Sequence, residues 1–316
     1  MARPICLVAS STDAAWRWLA HFGHLNFQAL QRMAQGDTVR GLPAIDHIDQ
    51  LCDGCLAGKQ RWAPFPEEAK YRAHAAFELV HGDICGPITP ETPTGKKYFL
   101  LLVDDMCHFM WILLLSGKHE VAATIKQFQA GIEVETGWKL QVLRTDCGGG
   151  REFTSMEFTE YCVDRGVRQQ LTAPYSPQQN GVVERRNQAV VAAARSMLKA
   201  ARIPTHFWGE AVVVAVYVLN RSPTKSLDRV MPYEAWHGRR PSVEHLRVFG
   251  CIGHVKTFKP NLHKLDDRGT RMVFIGYEQG SKAYRMYDPV ARWVCVSRDV
   301  VFDETAVWHW NVPEDV

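Results

Sequence analysis

The chain has 316 residues, 46% of them hydrophobic, and its formal net charge is only +3. This length exceeds one average domain, so we expect two or three domains with sizeable cores. The near-neutral total excludes a uniformly basic protein, yet Arg and Lys gather at 59–61, 185–202, 221–229 and 239–247. Such local basic segments indicate a polyanionic partner or, equally, the solvated faces of helices.

Neither a targeting segment nor a membrane span is expected. The first ten residues are too short and too soon interrupted for a signal peptide. The longest apolar run, AVVVAVYVL at 211–219, is half of what a membrane span requires. Nine cysteines are an odd number, which favours reduced thiols over a disulfide framework. We therefore expect an intracellular protein, nuclear or cytoplasmic, that is not secreted and has no membrane partner.

The predicted elements begin with a small helical module. Residues 16–62 alternate helix-like pieces with turns, and 62–76 read as a linker rich in Pro and charge. From residue 77, the apolar runs FELVHGDICGP, KKYFLLLVDD and MWILLL indicate three strands in a meander.

Strands and helices then alternate along the chain. The pattern predicts helices near 118–136, 155–164, 182–201 and 206–220, with strands at 139–146 and 167–172. Short β runs return over 247–303 and are typical of a small barrel. The predicted fold class is α/β: a mixed sheet with flanking helices over 75–222, preceded by the module at 16–62 and followed by a barrel within 223–305.

Three acids occupy positions from which their carboxylates could bind a metal ion. Asp83 lies in the first strand of the core, Asp146 closes the strand LRTD, and Glu184 opens a helix. Considered one at a time, Asp83 and Asp146 are typical turn residues, and Glu184 is typical of an acid that interacts with the helix dipole. Together, carboxylates from adjacent strand ends and a neighbouring helix can converge on one or two divalent cations, which favour oxygen ligands and promote phosphoryl displacement. Asp104 and Asp105 are rivals, although their position favours a hairpin turn.

A polar track follows Glu184 along the same helix. Helical spacing places three polar residues on its face, and two arginines follow it directly. This face suits a phosphate backbone leaving the acid site, although periodicity fits an ordinary solvated surface equally well. The predicted nucleic-acid contacts are Arg185, Arg186, Gln188, Arg195 and Lys199.

The N-terminal module offers metal ligands. His21 and His24 precede the C-x-x-C pair Cys52 and Cys55. Two histidines and two cysteines form a tetrahedral zinc set that stabilises modules too small to fold on their own core. A redox role for the cysteines is weaker, because no βαβ pattern surrounds them.

Several motifs together resemble the integrase of copia-type long-terminal-repeat retrotransposons, which is part of a Pol polyprotein. FGHLNFQAL with CDGCLAGKQ is similar to its pre-integrase zinc module, and VFGC with FIGY to its C-terminal SH3-like domain. HGDICGP, RTDCGG, EFTS and APYSPQQNGVVERRN are similar to its RNase H-like catalytic core. The resemblance covers roughly 16–303.

The resemblance implies a reaction and a site. Asp83, Asp146 and Glu184 match the metal-binding acids of the family, which use Mg²⁺ or Mn²⁺. The implied activity is 3′-end processing of element DNA and strand transfer into target DNA. The implied partner is double-stranded DNA, and the active form is a homo-oligomer.

Two departures from the family pattern favour an alternative. Leu19 stands where the family has a zinc-binding His, which weakens the Zn²⁺ site and leaves His21 as the nearest substitute. The stretch DCGGGREF after Asp146 carries two extra residues. The alternative is therefore a catalytically inactive relic, or a recruited nucleic-acid-binding protein that retains the fold. Nuclease activity without strand transfer is a third option.

Overall fold

A computed structural model describes residues 14–36, 38–45, 52, 54–55, 73–146, 153–171, 181–256 and 263–310. These residues form two compact units. The first unit gathers the described residues of Met1–Gln60, Ala192–Ser222 and Ser242–Val316. The second unit gathers those of Arg61–Val191 and Pro223–Pro241. Each unit thus combines separate stretches of the chain, whereas the predicted domains at 16–62, 75–222 and 223–305 follow sequence order.

Helices and strands occur where their hydrophobic periods predict them. The helices are α1 (Ala14–His21), α2 (Phe27–Gln35), α3 (Val121–Thr136), α4 (Met156–Arg165), α5 (Gly181–Ala200), α6 (Trp208–Leu219) and α7 (Pro232–His237). The strands are β1 (Leu79–Cys85), β2 (Tyr98–Asp104), β3 (Met110–Leu115), β4 (Val142–Thr145), β5 (Arg168–Leu171), β6 (Cys251–Lys256), β7 (Gly269–Tyr277), β8 (Tyr284–Asp288), β9 (Trp293–Ser297) and β10 (Val300–Val307). None of the helices in the described part of the chain is long and apolar enough to cross a membrane.

The second unit is built on a mixed sheet with strand order β3-β2-β1-β4-β5. β1, β2 and β3 are antiparallel, as the predicted meander requires, and β4 and β5 run parallel to β1. Because side chains alternate along a strand, Val80, Leu100 and Leu143 share one face of the sheet. They are buried in one core cluster with Ile125 of α3 and Phe158 of α4. The predicted mixed sheet with flanking helices is confirmed.

Helix α7 belongs to this second unit through its tryptophan. Trp236 packs edge-on against Trp111, with ring centroids 4.7 Å apart, and stacks on Phe109 at 5.6 Å. The helix begins with Pro232 in its first turn and ends at Gly238, whose φ of 68° suits glycine. A six-residue helix has little stability of its own, so packing of Trp236 stabilises it.

The first unit contains a five-stranded antiparallel sheet with order β10-β6-β7-β8-β9, which confirms the predicted C-terminal β domain. Helix α6 is apolar on nearly all sides and packs against β7. Gly250 precedes β6 with a φ of 86°, and a Cβ there would lie 2.4 Å from that of Ala201. Only glycine fits this close approach between the sheet and the end of α5.

Candidate active site and metal centre

Asp83 and Asp146 occupy neighbouring positions on two parallel strands. The register of β1 and β4 pairs Gly82 with Thr145, and the two aspartates are the next residues on their strands. Residues at the same register on adjacent strands point to the same face of a sheet. Their side chains therefore lie on the face opposite the α3 and α4 core, with Asp83 two residues before the end of β1 and Asp146 directly after β4.

Helix α5 brings Glu184 to these aspartates through Asn187. Glu184 lies in the first turn of the helix, and Asn187 follows one turn later on the same face. The Asn187 Nδ2 donates a hydrogen bond to Asp83 Oδ2 at 2.5 Å. The backbone N–H of Ile84 donates to Asp83 Oδ1 at 2.9 Å. Asp83 is thus held in place by both its own strand and the helix that carries Glu184.

The three carboxylates influence each other electrostatically. Burial raises the pKa of Asp83, and the charge of Asp146 adds to this effect, against hydrogen bonds that favour ionisation. Burial also raises the pKa of Glu184, with the charges of Asp83 and Asp146 acting in the same direction and Arg185 opposing them. Mutual repulsion of this kind requires that the charges lie near one another. The site therefore carries concentrated negative charge that a cation would neutralise.

The rival acids have structural roles. Asp104 is fully buried and accepts hydrogen bonds from the backbone N–H groups of Phe77 at 2.7 Å and Cys107 at 2.8 Å. Asp105 accepts one from the Ala73 N–H at 2.7 Å and contacts His81 Nε2 at 2.8 Å. These bonds fix the turn after β2, as hairpin-turn residues do, and use both carboxylates.

Asn187 is the site residue that the sequence reasoning missed. Residues three and four positions along a helix from Glu184 both lie on its face, so the sequence pattern fits Asn187 and Gln188 equally well. The sequence-based prediction named Gln188. Asn187 is buried and contacts Asp83, whereas Gln188 is exposed.

The predicted nucleic-acid contacts differ in their surroundings. Gln188, Arg185, Arg195 and Lys199 are exposed. Arg186 is half-buried and its Nη2 donates to the Thr224 hydroxyl at 2.6 Å. Burial, with a smaller effect of Arg185, lowers the pKa of Arg186 to about 10. Arg186 therefore lies against its own unit, while the other four face solvent.

In the first unit, His24, Cys52 and Cys55 form a compact set of metal-ligand atoms. Their ligand atoms all lie within 4.8 Å of one another, and no other group of three or more His, Cys, Asp or Glu in the described ranges is this tight. Cys52 Sγ lies 3.3 Å from His24 Nδ1. The hydrogen bond from Cys55, together with His24, lowers the pKa of Cys52 to about 4 against the effect of burial.

His21 lies elsewhere. Its Nε2 contacts the Glu304 carboxylate of β10, which also accepts a hydrogen bond from the Val248 N–H at 2.9 Å. Leu19, in place of the family histidine, is buried in the core. The structure thus brings together three of the four predicted zinc ligands and places His21 with Glu304.

Three family models match the chain. A GAG-pre-integrase domain matches residues 1–60, an Integrase core domain matches 73–177, and a Retroviral polymerase SH3-like domain matches 251–316. The integrase-core match includes Asp83 and Asp146 and ends shortly before Glu184.

Curated relatives match nearly the whole chain. The chain is 40% identical over 290 residues to the Retrovirus-related Pol polyprotein from transposon TNT 1-94 of Nicotiana tabacum, covering 92% of the chain and 22% of the relative. It is 29% identical over 306 residues to that from transposon RE1 of Arabidopsis thaliana, covering 96% of the chain and 20% of the relative. The chain therefore spans about a fifth of the length of these relatives.

Solved structures show weaker likeness. A chain of the simian T-cell lymphotropic virus intasome in complex with a PP2A regulatory subunit matches with a TM-score of 0.45 and 15% identity, covering 81% of this chain and 86% of that one. The HTLV-2 integrase catalytic core domain in complex with magnesium matches with a TM-score of 0.40 and 18% identity, covering 52% and 99%.

Proposed function

Because the chain belongs to the integrase region of copia-type retrotransposon Pol polyproteins, with an RNase H-like integrase core, we propose that it is a metal-dependent polynucleotidyl transferase. It processes the 3′ ends of element DNA and joins them to target DNA. The observation that carries this proposal is the register of Asp83 beside Asp146, together with the bond from α5 to Asp83.

The three acids offer the kind of ligand that a hard divalent cation takes, although their oxygen atoms do not all lie within 4.8 Å of one another as those of the zinc set do. Three carboxylates supply the oxygen ligands that Mg²⁺ or Mn²⁺ prefers, and burial, with the charges of the neighbouring carboxylates, raises the pKa of Asp83 and of Glu184. Asp83, Asp146 and Glu184 would hold the ion. The chemistry that such an ion would supply is activation of the attacking water or 3′-hydroxyl and stabilisation of the leaving oxygen.

Other residues of the second unit orient the acids. Asn187 fixes the rotamer of Asp83 by its hydrogen bond, and Arg185 favours the ionised form of Glu184. Exposed polar residues of α5 supply phosphate contacts that hold double-stranded DNA without reading its sequence. We infer that the active form is a homo-oligomer, which can hold two element ends for joining.

A zinc ion is the second metal we propose. His24, Cys52 and Cys55 fit it, because nitrogen and sulfur ligands are brought together and the hydrogen bond from Cys55, together with His24, lowers the pKa of Cys52. A fourth ligand would have to be water or a residue other than His21, which contacts Glu304. A three-residue set holds the ion less tightly than the four-ligand site of the family.

The alternative is an inactive protein that retains the fold and binds DNA. The two extra residues in DCGGGREF favour it, since they adjoin Asp146. Catalysis tolerates only small displacements of its groups, whereas phosphate binding tolerates larger ones.

A gel assay of processing and joining separates the two functions. The full chain is incubated with duplexes carrying element ends in Mg²⁺ or Mn²⁺. Product should form with wild type and with Glu160→Gln, a change at an exposed carboxylate of α4, and should be lost with Asp83→Asn. DNA binding without product in wild type would establish the inactive alternative.

A further inference from the structure

Two strands form the edges of the first unit's sheet in the described part of the chain, β10 on one side and β9 on the other. The pairing of β10 with β6 shifts register between Asp303 and Val307, and β10 carries the charges of Asp303 and Glu304. Irregular pairing and charged side chains are two ways in which proteins keep an edge strand from pairing further. β9, with the sequence WVCVS, contains no charge and no proline, and its pairing with β8 is regular over all five residues. β9 is therefore the edge that can accept another strand.

We propose that β9 is a docking site for an extended, acidic segment of another protein, which pairs with β9 and adds a strand to this sheet. The segment has β-branched or apolar residues at its centre and a carboxylate near each end. Strand addition of this kind takes its affinity from main-chain hydrogen bonds and its specificity from the side chains. The proposal does not rest on the proposed function.

The hydrogen bonds of β8 show which of its backbone groups point towards β9. In the ladder between β7 and β8, Tyr277 lies opposite Tyr284. The Glu278 N–H donates to the Ala283 carbonyl at 2.9 Å, just beyond this pair. In an antiparallel ladder, a bond at that place marks a pair that does not exchange its own N–H and C=O groups. The backbone groups of Tyr284 therefore point away from β7 and towards β9.

The same alternation identifies the backbone groups at the open edge of β9. Tyr284 pairs with Ser297, so the N–H and C=O of Ser297 point towards β8. Every second residue along a strand has the same direction, so the groups of Cys295 also point towards β8. Those of Val294 and Val296 point the other way, to the edge where the described residues supply no pairing strand. Two valines thus offer donors and acceptors to an added strand.

The side chains of β9 leave apolar surface exposed on both faces of the sheet. Trp293 is 51% exposed on one face, and Val294 and Val296 are 37% and 48% exposed on the other. An added strand would place its own side chains beside all three. Burial of this apolar surface and contacts between neighbouring side chains would stabilise the added strand.

A positive charge at each end of β9 favours an acidic partner. Arg292 directly precedes the strand and Arg298 directly follows it, and both are exposed. In extended chain, their positions are separated by about 20 Å. Neither forms a salt bridge with a carboxylate in the residues that the structure describes. A partner strand with a carboxylate near each end complements both charges.

A second copy of the chain and nucleic acid both match this edge less well. If two copies paired antiparallel about Cys295, Arg292 of each would lie opposite Arg298 of the other, and like charges placed opposite each other destabilise a ladder. Nucleic acid would neutralise the two arginines through its phosphates. It would gain little from the exposed tryptophan and valines between them. An acidic strand uses the backbone, the apolar side chains and both charges.

Amide hydrogen exchange, followed by NMR on the full chain, tests the pairing directly. The probe is a short peptide of alternating Val and Thr between two glutamates, and the control peptide has lysines in place of the glutamates. The acidic peptide should slow exchange of the Val294 and Val296 N–H groups about tenfold or more. The Cys295 N–H already points towards β8, so its exchange should change little. In fluorescence anisotropy, the lysine peptide should bind about tenfold more weakly than the acidic one.

Two variants locate the binding on β9. Val296→Pro removes an N–H from the open edge and leaves those that point towards β8, so it should weaken binding of the acidic peptide about tenfold. Val296→Thr keeps the N–H and the branched shape and is its matched control. Arg298→Glu leaves the backbone unaltered and should make the protein prefer the lysine peptide, a reversal that misfolding cannot produce.

Three results would overturn the proposal. The first is peptide binding that is indifferent to both Val296→Pro and Arg298→Glu. The second is slower exchange at the two valines with duplex DNA but not with the acidic peptide. The third is a dimer, measured by sedimentation, that Val296→Pro dissociates while the wild-type protein binds no peptide.

Discussion

Replacement of Asn187 by Ala removes the bond that ties α5 to Asp83. A hydrogen bond to a charged group contributes about 1.5–3 kcal/mol, and this one spans 2.5 Å. The same side chain also destabilises the folded state, because its Oδ1 is buried and has no hydrogen-bond partner in the described part of the chain. An unsatisfied buried acceptor costs about 1–3 kcal/mol. The two effects offset, so Asn187→Ala should change the free energy of unfolding by about 1 kcal/mol or less.

Activity should respond very differently from stability. Without Asn187, Asp83 keeps only the hydrogen bond from the Ile84 N–H, and loss of a residue that orients a metal ligand costs about 10–100-fold in metal affinity or activity. Single-turnover joining rates and Mn²⁺ titration measure the two quantities. Glu160→Gln, an exposed change on α4, should leave both unaltered.

A second substitution at the same position should reduce the stability of the protein as well as its activity. Asn187→Asp keeps the shape but places a carboxylate against that of Asp83, and two such charges oppose each other's ionisation. It should reduce both stability and rate at neutral pH. An Asn187→Ala protein with the wild-type joining rate, or with an activity loss matched by several kcal/mol of destabilisation, would refute the assigned positioning role.

Three further outcomes are expected. Trp236→Ala should destabilise the second unit by about 3–5 kcal/mol in denaturant unfolding, whereas Val163→Ala, at a position 73% exposed, should have little effect. Burial lowers the folded pKa of His245 to about 4, below its unfolded value of about 6.5, so the contribution of this residue to stability is present above pH 6.5 and lost as pH falls towards 4. Solvent screening limits this loss to about 1–2 kcal/mol, and unfolding of His245→Gln across that range should show a flatter pH dependence. Metal analysis of purified protein should find zinc in wild type and in His21→Ala but not in Cys55→Ser, and loss of zinc from His21→Ala would contradict the three-residue set.

The sequence predicted the elements, and supplied the candidate site residues, because the relevant signals are local. Asp83 lies within one apolar run of strand length and Asp146 directly follows another, and the pairing of these two strands as parallel neighbours brings the acids together. The start of α5 was readable from the Pro- and Gly-rich stretch before it, so the position of Glu184 followed. What remained open was the rotation of α5 about its axis, which decides whether position 187 or 188 contacts Asp83.

Contacts between residues far apart in the chain could not be predicted from the sequence. Trp236 lies in a segment predicted to belong to the C-terminal domain, yet it packs against Phe77 and Trp111 of the second unit. His21 contacts Glu304, 283 positions away along the chain. Neither pairing has a periodic or spacing signal, since both depend on how distant elements fill space.

Titration of Mn²⁺ into the full chain, followed by electron paramagnetic resonance, tests most directly whether the three acids form one metal site. Asp83→Asn, Asp146→Asn and Glu184→Gln should each weaken Mn²⁺ binding while leaving duplex binding in EDTA intact. If the acids share the ion, Asp146→Asn with Glu184→Gln should lose less binding free energy than the two single losses added together. Losses that simply add, or Mn²⁺ binding indifferent to all three changes, would contradict the shared site.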